Sequence, residues 1–197
     1  MHFSLELTPG LCIAGAFLLL VVPLPWLIGA VLAVCFHEIC HLVALCLLGG
    51  ASDQIRFGAL GAEIPISGLS VFQEFLAAAA GPAGSLLLFL FIHTFPRLAV
   101  CGLIQGLYNL LPIYPMDGGR MVKCLLILSF GEKAGEIAGR KIGRITLALL
   151  WGFSLYLAFF VGYGPAPVCI CAGIWLKTKK YLAKSPVRHY NSTDYES

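Results

Sequence analysis

Long apolar runs, broken only by short stretches of glycine, proline or polar residues, fill most of this sequence. Hydrophobic residues make up 59% of the chain and charged residues only 12%. Soluble domains carry about 25% charged residues, because their surfaces face water. The composition therefore predicts an all-α polytopic membrane protein, since helices satisfy their own backbone hydrogen bonds inside a bilayer. A lipid bilayer is then the main partner of the chain.

Six apolar stretches are long enough, or nearly long enough, to cross a bilayer, which takes about 20 apolar residues per helix. They lie at 5–22, 26–48, 72–95, 98–130, 145–161 and 164–176. The first ends at Pro23 without a small-residue cleavage site, which indicates a retained span rather than a secretion signal. The last is short, so five spans with a re-entrant end are an alternative. One transmembrane domain is expected over 1–184, followed by a disordered polar tail at 185–197.

Positive charge is concentrated in two stretches that hold eleven of the 13 Lys and Arg residues. One stretch is 120–144 and the other is 177–188, and the loop 162–165 between them carries no charge. By the positive-inside rule, both basic stretches are cytoplasmic and this loop is outside. Six spans then place both termini in the cytoplasm, in a multi-pass protein of the cell membrane. Juxtamembrane anchoring accounts for the charges, so no nucleic-acid partner is expected.

The segment 55–67 is too short and too interrupted to span as a helix, because it contains Gly58, Gly61 and Pro65. It is expected to form one or two short extended pieces or a membrane-dipping loop. Irregular backbone at membrane depth needs protein or water partners. The segment is therefore a candidate for part of a functional site.

A second interruption lies at 109–120, where Pro112 and Pro115 must break any helix that runs through 98–130. After this break, Asp117 occupies the position of an N-cap that would begin a new helix. Like the first interruption, this one places irregular backbone next to apolar helices. It is the second candidate region for a site.

His37, Glu38 and His41 form an H-E-x-x-H motif inside an apolar run. Residues four apart lie on one face of a helix, so both imidazoles can bind one Zn²⁺ ion. Glu38 projects about 100° away around the helix and is expected to act as a general base rather than a ligand. Ionisable side chains are costly inside a membrane, so three within one turn indicate a site. The alternative is a pair of packing histidines with polar neighbours.

A catalytic zinc ion needs a third protein ligand and an open position for water. The chain has three aspartates, and two of them, Asp53 and Asp194, lie in polar stretches. Asp117 lies beside the broken helix at membrane depth and is the candidate third ligand. A plain N-cap role would also explain an aspartate directly before Gly118 and Gly119.

Together, HEICH at 37–41 and NLLPIYPMDGGR at 109–120 resemble the two motifs of the site-2 protease family of intramembrane zinc metalloproteases. The second motif resembles that family's Asn-Pro-Asp-Gly element in a longer form with two prolines. GPAG at 81–84 resembles the family's small-residue element, although a small-xxx-small helix contact explains it equally well. The resemblance implies a three-helix catalytic core within 26–130, formed by 26–48, 72–95 and 98–130.

The resemblance further implies a zinc metalloendopeptidase that hydrolyses a peptide bond in or near a transmembrane segment of a membrane protein substrate. It implies His37, His41 and Asp117 as Zn²⁺ ligands and Glu38 as the catalytic base. Asn109 would bind the substrate or stabilise the oxyanion, with a helix-breaking polar contact as the alternative. The layout resembles a minimal bacterial form near the sporulation factor-processing branch, without PDZ or CBS domains.

Two other functions are alternatives, and the first of them uses the same cluster of His37, His41 and Asp117. One is a membrane metal transporter or sensor, but the chain has no second copy of either motif, whereas transporters often contain internal repeats. The other is a catalytically silent homologue that binds membrane proteins. Neither function needs a glutamate at position 38. The expected direction of the spans places the site in the cytoplasmic half of the bilayer.

Overall fold

The computed structural model describes residues 22–49, 56–58, 61–63, 69–162 and 164–184. The chain divides into two compact units after Asn109. The expected tail at 185–197, and all but the last residue of the expected span at 5–22, lie outside the described residues. One domain over 1–184 stays a prediction.

The described residues are almost entirely helical, which confirms the predicted all-α class. The first unit contains α1 (Leu24–Leu47), β1 (Arg56–Gly58), β2 (Gly61–Glu63), α2 (Val71–Leu87) with a 3-10 extension (Leu88–Phe91), and α3 (Pro96–Asn109). The second contains α4 (Asp117–Phe130), α5 (Glu132–Tyr156) with a π-helical extension (Leu157–Val161), and α6 (Ala166–Lys184). The two strands pair antiparallel, with Phe57 opposite Ala62, so the expected strand-like segment is present.

Within the described ranges, three helices are long and apolar enough to cross a membrane: α1, α2 with its extension, and α5 with its extension. Helices α3 and α4 have 14 residues each. At about 1.5 Å per residue, each is shorter than the ~30 Å hydrocarbon core. The expected span 98–130 is therefore two half-length helices, broken where the prolines predict. The count of six spans stays a prediction.

Helix α5 begins at Glu132, well before the span predicted at 145–161. The prediction followed the apolar half of the helix, and the first half carries charged residues such as Lys133 and Arg140. Lys, Arg and Glu are good helix formers, so the helix continues through them although hydropathy falls. A salt bridge of 2.8 Å between Arg140 and Glu136, four residues apart, adds support along this part.

The buried residues of α1 form one stripe with a spacing of four: Gly29, Ala33, His37, His41 and Leu45. Because an α-helix has 3.6 residues per turn, such a stripe shifts by about 40° at each step. Its two ends therefore face different neighbours. A side chain at Gly29 would come within 3.3 Å of the Arg97 backbone in α3, whereas both histidines contact α2.

Helix α2 is the most enclosed span, with 44% of its apolar window buried against 22% for α1 and 6% for α5. Its start is fixed by a capping box, in which Gln73 N donates to Ser70 Oγ at 3.3 Å and Ser70 N donates to Gln73 Oε1 at 3.0 Å. Its inner face consists of Val71, Glu74, Ala77, Ala78, Gly81, Pro82, Gly84 and Ser85. This face packs against both α1 and α3.

In the second unit, the connection 110–116 turns tightly before α4. Ile113 and Met116 are almost fully buried, and Met116 N donates to Ile113 O at 2.9 Å. Helix α4 begins at Asp117, and the N-cap residue is Met116. The sequence predicted Asp117 as the N-cap, which is one residue too late. The prediction followed from residue type, because aspartate is a preferred N-cap residue and two glycines follow it.

Substitution of Gly118 is expected to disturb this turn. A Cβ atom there would overlap the backbone carbonyl groups of Leu110 and Leu111, and backbone cannot rotate away as a side chain can. We expect Gly118→Ala to destabilise the protein by about 1–3 kcal/mol, the usual cost of overpacking. Thermal unfolding in detergent measures this. Gly152→Ala is the matched control, because no atom lies within 4 Å of its added Cβ; equal melting temperatures for the two variants would contradict the prediction.

Candidate metal centre

The H-E-x-x-H motif lies on α1 with both histidines on the inward stripe. His37 and His41 are 2% and 7% exposed, their ring centroids are 4.8 Å apart, and their Nε2 atoms are 3.2 Å apart. The two rings are nearly perpendicular, at 83°. One helical turn therefore brings two imidazole nitrogens close together inside the protein, because residues four apart lie on the same face of a helix.

The opposite nitrogen of each ring bonds to α2. His41 Nδ1 lies 2.7 Å from the carbonyl oxygen of Ala77, and His37 Nδ1 lies 2.8 Å from Ser85 Oγ. A carbonyl oxygen only accepts, so Nδ1 of His41 must donate. In the neutral ring, its Nε2 then carries a lone pair. Histidines that bind metals commonly have this arrangement, in which the distal N–H bonds to a carbonyl or a polar side chain.

Glycines on α2 make room for the side chains of α1. A Cβ atom at Gly81 would overlap the imidazole of His41, and one at Gly84 would overlap the sulfur of Cys40. The small residues at 81–84 are therefore contact positions against α1. Without a side chain at position 81, the His41 ring can lie directly against the backbone of α2.

Asp117 is the first residue of α4 and is 8% exposed. Arg120 Nη1 lies 3.9 Å from its Oδ1, which is a loose ion pair between residues three apart on the helix. His37, His41 and Asp117 are all buried, and each offers one atom that could bind a metal ion. Two imidazoles and one carboxylate, all buried, form a donor set that matches catalytic zinc sites.

The other two predicted site residues have different surroundings. Glu38 is half-buried on α1, next to His37 and about 100° from it around the helix. Asn109 is the last residue of α3 and is 9% exposed, and its Nδ2 donates to the carbonyl oxygen of Gln105 at 3.2 Å. The side-chain amide of Asn109 thus makes a polar contact within its own helix, which is the kind of contact expected under the alternative role. A role of Asn109 toward a substrate stays a prediction.

Ser85 and the carbonyl of Ala77 were not predicted from the sequence as partners of the histidines. Ser85 is a single polar residue in the apolar stretch 83–92, and polar residues at membrane depth often have a function. The polarity of Ser85 within this apolar stretch was the sequence signal that could have identified it as a site residue.

Comparison with known proteins finds relatives that are named as candidate zinc metalloproteases. No protein-family model matches the sequence. Rip3 from Mycobacterium tuberculosis, named as a candidate zinc metalloprotease, is 31% identical over an alignment that covers 77% of this chain and 43% of Rip3. The Synechocystis protein sll0528, named in the same way, is 29% identical over 61% of this chain and 38% of its own length. The chain thus spans less than half the length of these curated relatives.

Among solved structures, the site-2 protease from Methanocaldococcus jannaschii has a similar fold. The TM-score is 0.67, and the match covers 98% of this chain and 96% of that chain at 17% sequence identity. At this identity the match shows a common fold. The two sequence relatives are named as candidate zinc metalloproteases, and the solved structure with the similar fold is named as a site-2 protease.

Proposed function

Because the chain belongs to the site-2 protease family, we propose that it is a zinc metalloendopeptidase that hydrolyses a peptide bond in or near a transmembrane segment of a membrane protein. One observation carries the proposal: the buried imidazoles of His37 and His41 bring their Nε2 atoms to 3.2 Å of each other, and Asp117 is a third buried residue that could hold a metal ion. The names of the curated relatives support the same reaction class.

In this proposal, His37 and His41 would hold zinc through Nε2, and Asp117 would hold it through a carboxylate oxygen. The bound ion would supply a Lewis acid that polarises the scissile carbonyl and favours the loss of a proton from water near neutral pH. Glu38 takes that proton and passes it to the leaving amine. Its half-buried position beside His37 suits a group that must meet both water and substrate.

The substrate in this proposal is a membrane-spanning or membrane-proximal peptide segment. A helical segment hides its peptide bonds in hydrogen bonds four residues apart, so it must unwind before cleavage. The outer edges of the two-stranded hairpin formed by β1 and β2 carry backbone groups that could pair with an extended segment. Asn109 has a second amide hydrogen besides the one given to Gln105, and that hydrogen would bind the carbonyl oxygen of the substrate.

Asp117→Ala tests the proposed centre. We expect zinc content and cleavage to fall together by roughly 10²-fold or more, because even the loss of an outer partner of a ligand costs 10- to 100-fold in affinity. Zinc is measured on the purified protein, and cleavage is measured on a panel of co-expressed single-span reporter proteins. Full zinc and full cleavage in Asp117→Ala would remove Asp117 from the centre.

Glu132→Ala is the matched control, because Glu132 is the first residue of α5 as Asp117 is of α4. A carboxylate at either position stabilises its own helix through the helix dipole. If both variants lose the same amount of stability and only Asp117→Ala loses zinc, the role of Asp117 goes beyond that of a helix terminus. Metal uptake into vesicles without cleavage of any reporter would instead support a transporter.

A further inference from the structure

The two histidines of α1 bond to α2 through chemically different partners. His41 Nδ1 bonds to a backbone carbonyl, which no substitution of Ala77 removes. His37 Nδ1 bonds to the hydroxyl of Ser85, which is a side chain. One of the bonds that orient the His37 ring therefore comes from a side chain 48 positions away in the sequence.

The hydroxyl of Ser85 can donate or accept, so it does not by itself decide which nitrogen of His37 carries the proton. A metal ion on Nε2 decides it, because a ligating Nε2 has no proton and Nδ1 of a neutral ring must then have one. In that state Ser85 Oγ accepts the hydrogen bond from His37. The 2.8 Å distance between the two atoms fits this bond.

Ser85 lies in a closely packed part of the first unit. Ser85 is 0% exposed. Helix α3 lies against it through a G-x-x-x-G pair: a Cβ atom at Gly102 would lie 2.9 Å from the Ser85 carbonyl oxygen, and one at Gly106 would lie 3.2 Å from Ser85 Cβ. Small residues at this spacing let helix backbones approach closely in membranes. Ser85 is therefore enclosed by protein on the side that faces α3.

We propose that Ser85 is a positioning residue for the metal centre. It accepts a hydrogen bond from His37 Nδ1 and so holds the imidazole with Nε2 directed at the ion. This inference rests on the proposed zinc centre, since it assigns Ser85 a role toward a ligand of that centre. Ser85 acts through His37 and does not touch the substrate or the ion.

Zinc affinity of the purified full chain, measured by competition with a fluorescent chelator, tests the proposal. Ser85→Ala removes one buried oxygen and should weaken zinc binding about 10- to 100-fold, the usual effect of losing a partner of a ligand histidine. Ser85→Thr keeps the hydroxyl and should bind zinc more tightly than Ser85→Ala. Ser154→Ala, which removes another buried serine hydroxyl in the second unit, should leave the affinity unchanged.

A spectroscopic readout separates positioning from folding. With zinc bound, ¹⁵N NMR of the parent should show His37 protonated on Nδ1 and bound through Nε2. In Ser85→Ala this signature should weaken or change, while that of His41 persists because its partner is backbone. Unchanged zinc affinity and an unchanged His37 signature in Ser85→Ala would overturn the proposal, as would an equal loss in Ser154→Ala.

His37→Ala distinguishes failure of this inference from failure of the proposed centre. If His37→Ala loses zinc and Ser85→Ala does not, the centre stands and the positioning role is wrong. If His37→Ala keeps zinc, the centre itself is wrong.

Discussion

Glu38→Gln is expected to reduce cleavage by roughly 10²- to 10⁴-fold, the range that a general base contributes. The amide has nearly the shape of the carboxylate but cannot take a proton from water. Zinc binding should persist, because in the proposed centre the metal is held by His37, His41 and Asp117. Zinc content and cleavage of a membrane reporter, measured on the same preparation, should therefore separate in this variant.

Glu136→Gln is the control for removal of one carboxylate from a helix. Glu136 lies on α5 in a salt bridge with Arg140, an arrangement worth only a few tenths of a kcal/mol. It should keep both zinc and cleavage. Parent-level cleavage by Glu38→Gln would show that the base is another group. Loss of zinc by Glu38→Gln would show that Glu38 helps to hold the metal.

Gly81→Ala is expected to remove both zinc and cleavage, with a loss of about 10²-fold or more in zinc affinity because a ligand is displaced. The new methyl group would occupy the space of the His41 imidazole. The ring cannot simply rotate aside, because its Nδ1 bonds to the carbonyl of Ala77. Either that bond or the position of Nε2 must change.

The effect on folding should be much smaller than the effect on zinc. Alanine is a better helix former than glycine by about 1 kcal/mol, which offsets part of the 1–3 kcal/mol cost of overpacking. Gly84→Ala is the matched control on the same helix, since its methyl group would meet Cys40 rather than a proposed ligand. It should bind zinc like the parent. Equal zinc affinities for Gly81→Ala and Gly84→Ala would contradict this account of Gly81.

The parts of the fold that sequence alone predicts are those with local causes. Side chains four apart share a helix face, so the convergence of His37 and His41 follows from their spacing. Proline cannot continue a helix, so the break between α3 and α4 follows from Pro112 and Pro115. Glycine and proline in 55–67 indicate interrupted backbone, and two short strands lie there.

The parts that the sequence did not predict depend on which helix faces which. Ser85 is a site residue only because α2 packs against α1 in one register, and nothing within 83–92 specifies that register. Small residues such as Gly81 are common at helix contacts, so the residue type alone indicates only close packing. The function of Gly81 here depends on the imidazole opposite it. The glycines at 118 and 119 look like part of a cap, whereas in the structure they allow the 110–116 turn to lie against α4.

The spacing of the buried stripe on α1 has a consequence for how this protein can diverge. Only five of the 24 residues of α1 are buried. The others that face lipid can be exchanged for almost any apolar residue, because lipid tails are as apolar as leucine. A fold can therefore persist at a TM-score of 0.67 with only 17% identity. A search for further relatives should weight the stripe on α1 and the facing positions of α2 above overall identity.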